Sequence, residues 1–195
     1  MVYAIIMASG KSHRMGTNKL LLPLRGRLLI TYTFEVVKNS NFTKRLLISD
    51  DEIILNLGKE WGLEVLYNPK SHLGQSESIK LGIKHASDAL GYAFVPSDQP
   101  LLDVETVNGL IDLFKTHPDK LIVPRYKDNW GSPTIFAKRF FPELMALEGD
   151  IGGRPILQKH QEDIVFYEVK NPMLLKDIDT TEDYEYMKNY LKLMK

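Results

Sequence analysis

Short apolar runs rich in β-branched residues alternate along this chain with segments whose apolar residues recur at helical spacing. That alternation leaves few architectures open. The strand-like runs are Val2–Ala8, Lys44–Ser49, Leu63–Tyr67, Tyr92–Val95, Leu121–Pro124, Pro133–Ala137 and Ile164–Glu168. Helical spacing is read over Leu28–Asn39, over Gln75–Ser87 with Ile79, Ile83 and Ala86 on one stripe, and over Phe140–Leu147 and Arg154–His160. Ser49-Asp50-Asp51-Glu52 reads as a capping box for a helix through Trp61, and Asp103 as the cap of a helix carrying Val104, Val107, Leu110, Ile111 and Phe114. Thr180 with Asp183 is expected to cap a terminal helix through Lys195. This order predicts an α/β fold, a mostly parallel sheet with helices on both faces. The fully apolar Tyr92–Val95 belongs at its centre. With no repeat, low-complexity tract or linker, residues 1–195 are expected to form one domain.

The segment after the first strand carries the chemistry. Met7 to Lys19 combines Gly10 and Gly16, small residues at Ala8 and Ser9, and the cations Lys11, Arg14 and Lys19, and no acid appears before Glu35. Small residues let a ligand approach the main chain, whose N–H groups can then cradle an anion. Arg14 offers a planar fork for phosphate oxygens and Lys19 a mobile point charge. The segment matches neither the Walker pattern nor Gly-x-Gly-x-x-Gly, and alone it could equally be a solvated basic turn.

Two acidic segments sharpen that reading. Pro96-Ser97-Asp98-Gln99-Pro100 directly follows the central strand, which puts Asp98 at the carboxyl edge of the sheet beside the basic loop. A carboxylate next to a triphosphate needs a hard divalent cation between them, and magnesium is the usual ion. Taken alone, Asp98 would read as a turn residue. In Asp177-Ile178-Asp179-Thr180-Thr181-Glu182-Asp183, Thr180 caps the helix, leaving Asp179 to serve as a second metal carboxylate; the alternative is that all these acids complement the helix N-terminus.

Composition removes other classes. Twenty-five basic and 25 acidic residues balance, so nothing points to nucleic acid or a membrane surface. The absence of cysteine excludes disulfides and thiolate chemistry. The histidines at 13, 72, 85, 117 and 160 lack metal-ligand spacing. Neither a signal-peptide pattern nor an apolar run of membrane length is present, so a cytoplasmic protein is expected.

Together these segments resemble the nucleotidyltransferases of the MobA-like superfamily, and most of all the molybdenum cofactor cytidylyltransferase family. The family pattern Leu-Ala-Ala-Gly-x-Ser-x-Arg-Met-Gly-x-x-Lys is matched by Met7 through Lys19. Leu20-Leu21-Leu22-Pro23 with Gly26 follows, then Gly74 with Ser78 and Gly82, then Ser97-Asp98-Gln99-Pro100. Later come Gly131-Ser132-Pro133 with Phe136, Gly149-Asp150-Ile151-Gly152-Gly153-Arg154, and Asp177 to Asp183. The resemblance implies a three-layer α/β/α Rossmann-like nucleotidyltransferase fold with a mostly parallel, mixed central sheet. It implies CMP transfer from CTP to the terminal phosphate of molybdopterin, with magnesium as cofactor (manganese a possible substitute) and a molybdenum hydroxylase as recipient of the product. Ala8, Ser9, Gly10, Lys11, Arg14, Lys19, Gly74, Ser78 and Asp98 would meet the nucleotide. Arg14, Lys19 and Asp98 would be catalytic: Arg14 on the β- and γ-phosphates, Lys19 on charge growing at the α-phosphate, and Asp98 with Asp179 on the metal. Gln75, Gly131, Ser132, Pro133, Asp150 and Arg154 would face the acceptor. Two positions depart from the pattern. Ser9 stands where the family has alanine and guanylyl-transferring relatives have glycine, so its bulk favours cytosine over guanine. Ser132 stands where the family has histidine. Transfer to another phosphorylated acceptor (a phospho-sugar, phosphocholine or phospho-polyol) and a non-catalytic cofactor-binding accessory role are the alternatives.

Overall fold

The computed structural model describes residues 1–9 and 18–193. Its main sheet is built from β1 (Val2–Met7), β4 (Lys44–Ser49), β5 (Glu64–Tyr67), β6 (Gly91–Pro96), β7 (Leu121–Tyr126), β8 (Asn129–Trp130), β9 (Thr134–Ala137) and β10 (Ile164–Glu168). The strand order is β10-β7-β9-β6-β1-β4-β5, with β8 pairing β7. β6 therefore lies at the centre, as its unbroken apolar sequence predicts, and its side chains from Gly91 to Val95 are buried. The pairs β1–β4, β1–β6, β4–β5 and β7–β10 are parallel, whereas β9 runs antiparallel to both β6 and β7, giving the expected mixed sheet.

Helices α1 (Leu29–Asn39), α2 (Glu52–Glu60), α3 (Gln75–His85), α4 (Val104–Thr116), α5 (Phe141–Met145), α6 (Arg154–Lys159) and α7 (Thr181–Leu193) flank the sheet. Successive strand residues point to opposite faces, and the glycines of two helices show which face each one takes. A Cβ on Gly82 of α3 would meet Ile5 and Ile48, while one on Gly58 of α2 would meet Leu47. Ile48 and Leu47 are neighbours on β4, so α2 and α3 lie on opposite faces and the molecule has three layers. α1 joins the α2 side, where Phe34 packs on Trp61 with ring centroids 6.0 Å apart.

Three local readings are corrected by the structure. The cap of α2 is Asp51, whose Oδ1 accepts from the N–H groups of Ile53 and Ile54; Ser49 instead ends β4 and donates its hydroxyl to the carbonyl of Ala8. A small hairpin of β2 (Pro23–Leu24) and β3 (Arg27–Leu28) precedes α1 where no element was expected, turning through Arg25 and Gly26, both at positive φ. The expected helix over Phe140–Leu147 is a 3-10 turn followed by the single turn of α5. The capping box at Thr180 and Asp183 forms as predicted: the Asp183 N–H donates to Thr180 Oγ1 at 3.1 Å and the Thr180 N–H to Asp183 Oδ2 at 3.1 Å. Lys176 and these bonds hold the Asp183 carboxyl down at about 2.

A second, smaller core anchors the C-terminal segment. Ile178, Tyr184, Met187 and Leu191 pack against Leu24 and Leu29, and the Tyr184 hydroxyl donates to the Pro23 carbonyl. The chain thus returns from β10 at one edge of the sheet to its middle, where the Ile178 N–H donates to the Asp98 carbonyl at 3.1 Å.

Candidate functional site

Two neighbouring parallel strands end together at the site. Met7 at the end of β1 pairs with Pro96 at the end of β6, and the Ser97 hydroxyl donates to the Met7 carbonyl at 2.9 Å. This clip fixes the two segments that leave the sheet there, one toward Ser9 and the other to Asp98. A cleft of about 1350 Å³ opens above this edge. It is larger than the few hundred to about 1,000 Å³ usual for one small ligand, and so has room for two substrates.

At the floor of the cleft one ammonium joins three distant segments. Lys19 Nζ donates to Asp98 Oδ2 at 2.7 Å, to the Ile178 carbonyl at 2.6 Å and to Asp179 Oδ1 at 3.0 Å. Asn18 sets Lys19 in place: its Oδ1 accepts from the Leu20 N–H while its Nδ2 donates to Asp51 at the cap of α2. Burial pulls the Lys19 amine down, but the charges and hydrogen bonds of Asp98 and Asp179 outweigh it and hold the group above its ordinary value, fully cationic.

A third carboxylate, Asp177, lines the same cleft. Burial against the cleft wall pushes its carboxyl up, as do the charges of Asp98 and Asp179, while Lys19 opposes them. The side chain still opens to solvent, so the crowding of like charges is the firmer cause. Sequence reasoning missed Asp177, although it sits two residues before Asp179 in the same acidic run. Asp98 and Asp179 share one cationic position through the Lys19 ammonium, Asp177 is near enough to feel both charges, and carboxylate oxygens are the donors a hard divalent ion takes. The donor set therefore fits magnesium or manganese.

Among the described residues, one group of His and acid side chains has its ligand atoms within 4.8 Å of one another, and it lies elsewhere. His160, Glu162 and Asp163 lie together. Lys120 and Arg139 already pair with Asp163 and lower its carboxyl, and Glu143 takes His160 Nε2 at 2.8 Å. It is a cation-saturated knot beneath α6.

The remaining predicted positions divide clearly. Ser9, Gly74, Gln75, Ser78, Gly131, Ser132, Asp150 and Arg154 line the cleft with Lys19 and Asp98. Ala8 is buried, its N–H donating to Ile48 and its carbonyl accepting from Ser49, so its main chain is already spoken for. Pro133 is buried behind a cis Ser132–Pro133 bond. The calls on Gly10, Lys11 and Arg14 lie outside the described residues. The Ser9 hydroxyl is buried without a hydrogen-bond partner among the described residues.

Loop-to-loop packing explains several of these residues. Gly74, at φ +114°, starts α3, and a Cβ there would fall 2.3–2.4 Å from the backbone of Gly149 and Asp150. Only glycine permits that approach. It lets the Asp150 carboxylate accept from the Gln75 N–H at 3.2 Å and the Gly149 carbonyl accept from the Ser76 N–H at 3.2 Å, so this loop caps α3. Asp150 thus holds the start of α3 through Oδ1 while lining the cleft. The Ser78 hydroxyl accepts from the Asn68 amide at 3.0 Å, tying α3 to the end of β5. Gln99, also unforeseen, donates Nε2 to the Leu175 carbonyl at 3.2 Å while its buried Oε1 has no partner among the described residues. Its place inside Ser97-Asp98-Gln99-Pro100 was the available signal.

Comparison with known proteins agrees with this fold. Residues 4–164 match the model of the MobA-like NTP transferase domain. The chain is 30% identical to the purine catabolism protein PucB of Bacillus subtilis over 94% of each chain. It is 26% identical to a probable molybdenum cofactor guanylyltransferase of Thermococcus sibiricus, covering 66% of this chain and 64% of that one. The crystal structure of Rv0371c from Mycobacterium tuberculosis in complex with manganese superposes with a TM-score of 0.82 at 22% identity, over 96% of this chain and 98% of that one. No described helix is long and apolar enough to cross a membrane.

Proposed function

The chain belongs to the MobA-like NTP transferase family, and from that premise we propose that it moves CMP from CTP to the terminal phosphate of molybdopterin, releasing pyrophosphate and forming molybdopterin cytosine dinucleotide. We read residues 1–195 as one nucleotidyltransferase domain acting in the cytoplasm. The observation that carries the reading is the Lys19 ammonium held between Asp98 and Asp179 at the floor of a cleft of about 1350 Å³.

The acceptor phosphate is itself the nucleophile and would attack the α-phosphorus in line, so the site needs no strong base. Its task is to position two anions and offset their charge. Asp98 and Asp179, with Asp177 beside them, would hold a magnesium ion, for which manganese can substitute, and the ion would offset triphosphate charge. Lys19 remains cationic in this setting and would stabilise charge growing at the α-phosphate. Arg14 would hold the β- and γ-phosphates. Ser9, Gly74 and Ser78 would shape the nucleotide side, with Gly10 and Lys11. Gln75, Arg154 and the Gly131–Pro133 turn would shape the acceptor side. The bulk of Ser9 next to the base supports cytosine over guanine, and a molybdenum hydroxylase would receive the product.

Guanylyl transfer is the second reading, favoured by the function named for the Thermococcus relative. Pyrophosphate release measured with each of the four nucleotides, magnesium and purified molybdopterin decides between them. CTP is expected to support the fastest release. Preference for GTP overturns the base assignment. Absence of release with every nucleotide overturns molybdopterin as acceptor, leaving another phosphorylated acceptor or a cofactor-binding accessory role.

A further inference from the structure

Trp130 is a large aromatic side chain left 39% exposed, and it lines the cleft. Its position in the sheet separates it from the loop that follows β1. Arg125 of β7 pairs with Trp130 on one side and with Glu168 of β10 on the other. β8 therefore extends the line of β9, one strand beyond β6 and on the side away from β1. Asp98 stands between the two: the Ser9 end of the cleft lies to one side and Trp130 to the other.

The indole is also firmly mounted. Its ring centroid lies 5.5 Å from that of Phe166, the two rings tilted by 52°, and the Arg125 guanidinium sits 4.0 Å from the Phe166 centroid, so the three side chains form one cluster. The next residue fixes the turn: the Gly131 N–H donates to the Pro124 carbonyl at 2.8 Å, and Gly131 backs directly onto Leu175, where a Cβ would come within 2.6 Å. Leu175 leads into the Asp177–Asp179 segment, so the aromatic mount and the acidic floor share one scaffold. The same cleft carries Arg154, Gln158 and Gln161, a cation and two amides suited to a phosphate and to ring heteroatoms.

An exposed aromatic ring held on the wall of a cleft that also carries hydrogen-bonding groups is what a flat heterocycle needs for stacking. We infer that Trp130 is the stacking platform for the acceptor, selecting a planar heteroaromatic ring that carries a phosphomonoester over a sugar or polyol phosphate. This rests on the acceptor reading above, since a pterin is such a ring. It adds a specificity residue that no sequence motif marked.

The chain contains only two tryptophans, so protein labelled with 5-fluorotryptophan gives two fluorine resonances, assigned with Trp130→Phe. Titration with a pterin bearing a phosphomonoester side chain is expected to shift the Trp130 resonance saturably and leave that of Trp61 in place. Glucose 1-phosphate and magnesium CTP, each added alone, are expected to move neither. In steady-state assays Trp130→Ala should raise the acceptor KM roughly tenfold, the scale of a lost aromatic stack, without changing the nucleotide KM, and Trp130→Phe should recover most of it. The inference is overturned if the pterin phosphate leaves the Trp130 resonance unmoved, if CTP alone or glucose 1-phosphate shifts it equally, or if Trp130→Ala keeps the acceptor KM. A moving resonance without pyrophosphate release from molybdopterin overturns the proposed reaction and leaves the platform standing. Turnover with molybdopterin and a fixed resonance does the reverse.

Discussion

At the scale of the residue, the molecule concentrates opposing charges in one place, and among the described residues the acids there outnumber the ammonium of Lys19. Lys19 answers Asp98 and Asp179, and Asp177 adds a third acid whose carboxyl is pushed up by burial and by the charges of Asp98 and Asp179, with Lys19 opposing them. Asp98→Ala and Lys19→Ala should each lower pyrophosphate release by roughly 10²–10³-fold with an unchanged circular dichroism spectrum; undiminished turnover in either would refute the roles given to them. Asp177→Asn tests the crowding itself. A folded pKa above the unfolded value means that ionised Asp177 costs the fold stability as pH rises through that folded value, whereas protonated Asp177 does not. The variant should therefore melt higher than the parent at pH 7, with the gap closing by about pH 4, near the ordinary aspartate value. Equal melting temperatures at pH 7 would contradict the like-charge account. Asp98 and Asp179 were legible as acids in turns beside the sheet edge. Asp177 was not, because its environment is made by Asp98, far away in sequence, and no local pattern records that.

At the scale of the element, the decisive contacts are between loops. Gly74 lets the Gly149–Asp150 loop dock on the first turn of α3, and neither partner reveals the other in sequence. Gly74→Ala would force a side chain into the docked backbone at a φ that side chains avoid, and should lower stability by about 1–3 kcal/mol, read as a fall in melting temperature. A melting curve unchanged by the substitution would mean the loop does not dock as described. The strands and long helices were readable because their apolar periodicity is local, and the Thr180–Asp183 box because it spans only four residues. The cap at Asp51 was read two residues early, since the Ser49 hydroxyl is drawn to the carbonyl of Ala8, just past the end of β1. The β2–β3 hairpin was missed for a similar reason. It is two short strands turning at Arg25-Gly26, and its stability comes from α7 packed across Leu24.

At the scale of the whole molecule, the site depends on a chain that leaves the centre of the sheet and comes back. The parallel order and the central place of β6 follow from the sequence pattern; the return of the Asp177–Asp179 segment to the centre does not, because it is fixed by the small core around Ile178 and Met187. That return has a kinetic consequence. The ammonium of Lys19 joins partners 79 and 160 residues away along the chain. Contacts of such long sequence separation form late, after the loops they close have lost their entropy. A growing or partly folded chain should build most of its sheet before it owns a working charge centre. In stopped-flow refolding, recovery of pyrophosphate release should lag the far-ultraviolet signal of the sheet, and simultaneous recovery would contradict this order. A half-made molecule of this design is protected from acting too soon, because its reactive centre is the knot tied last.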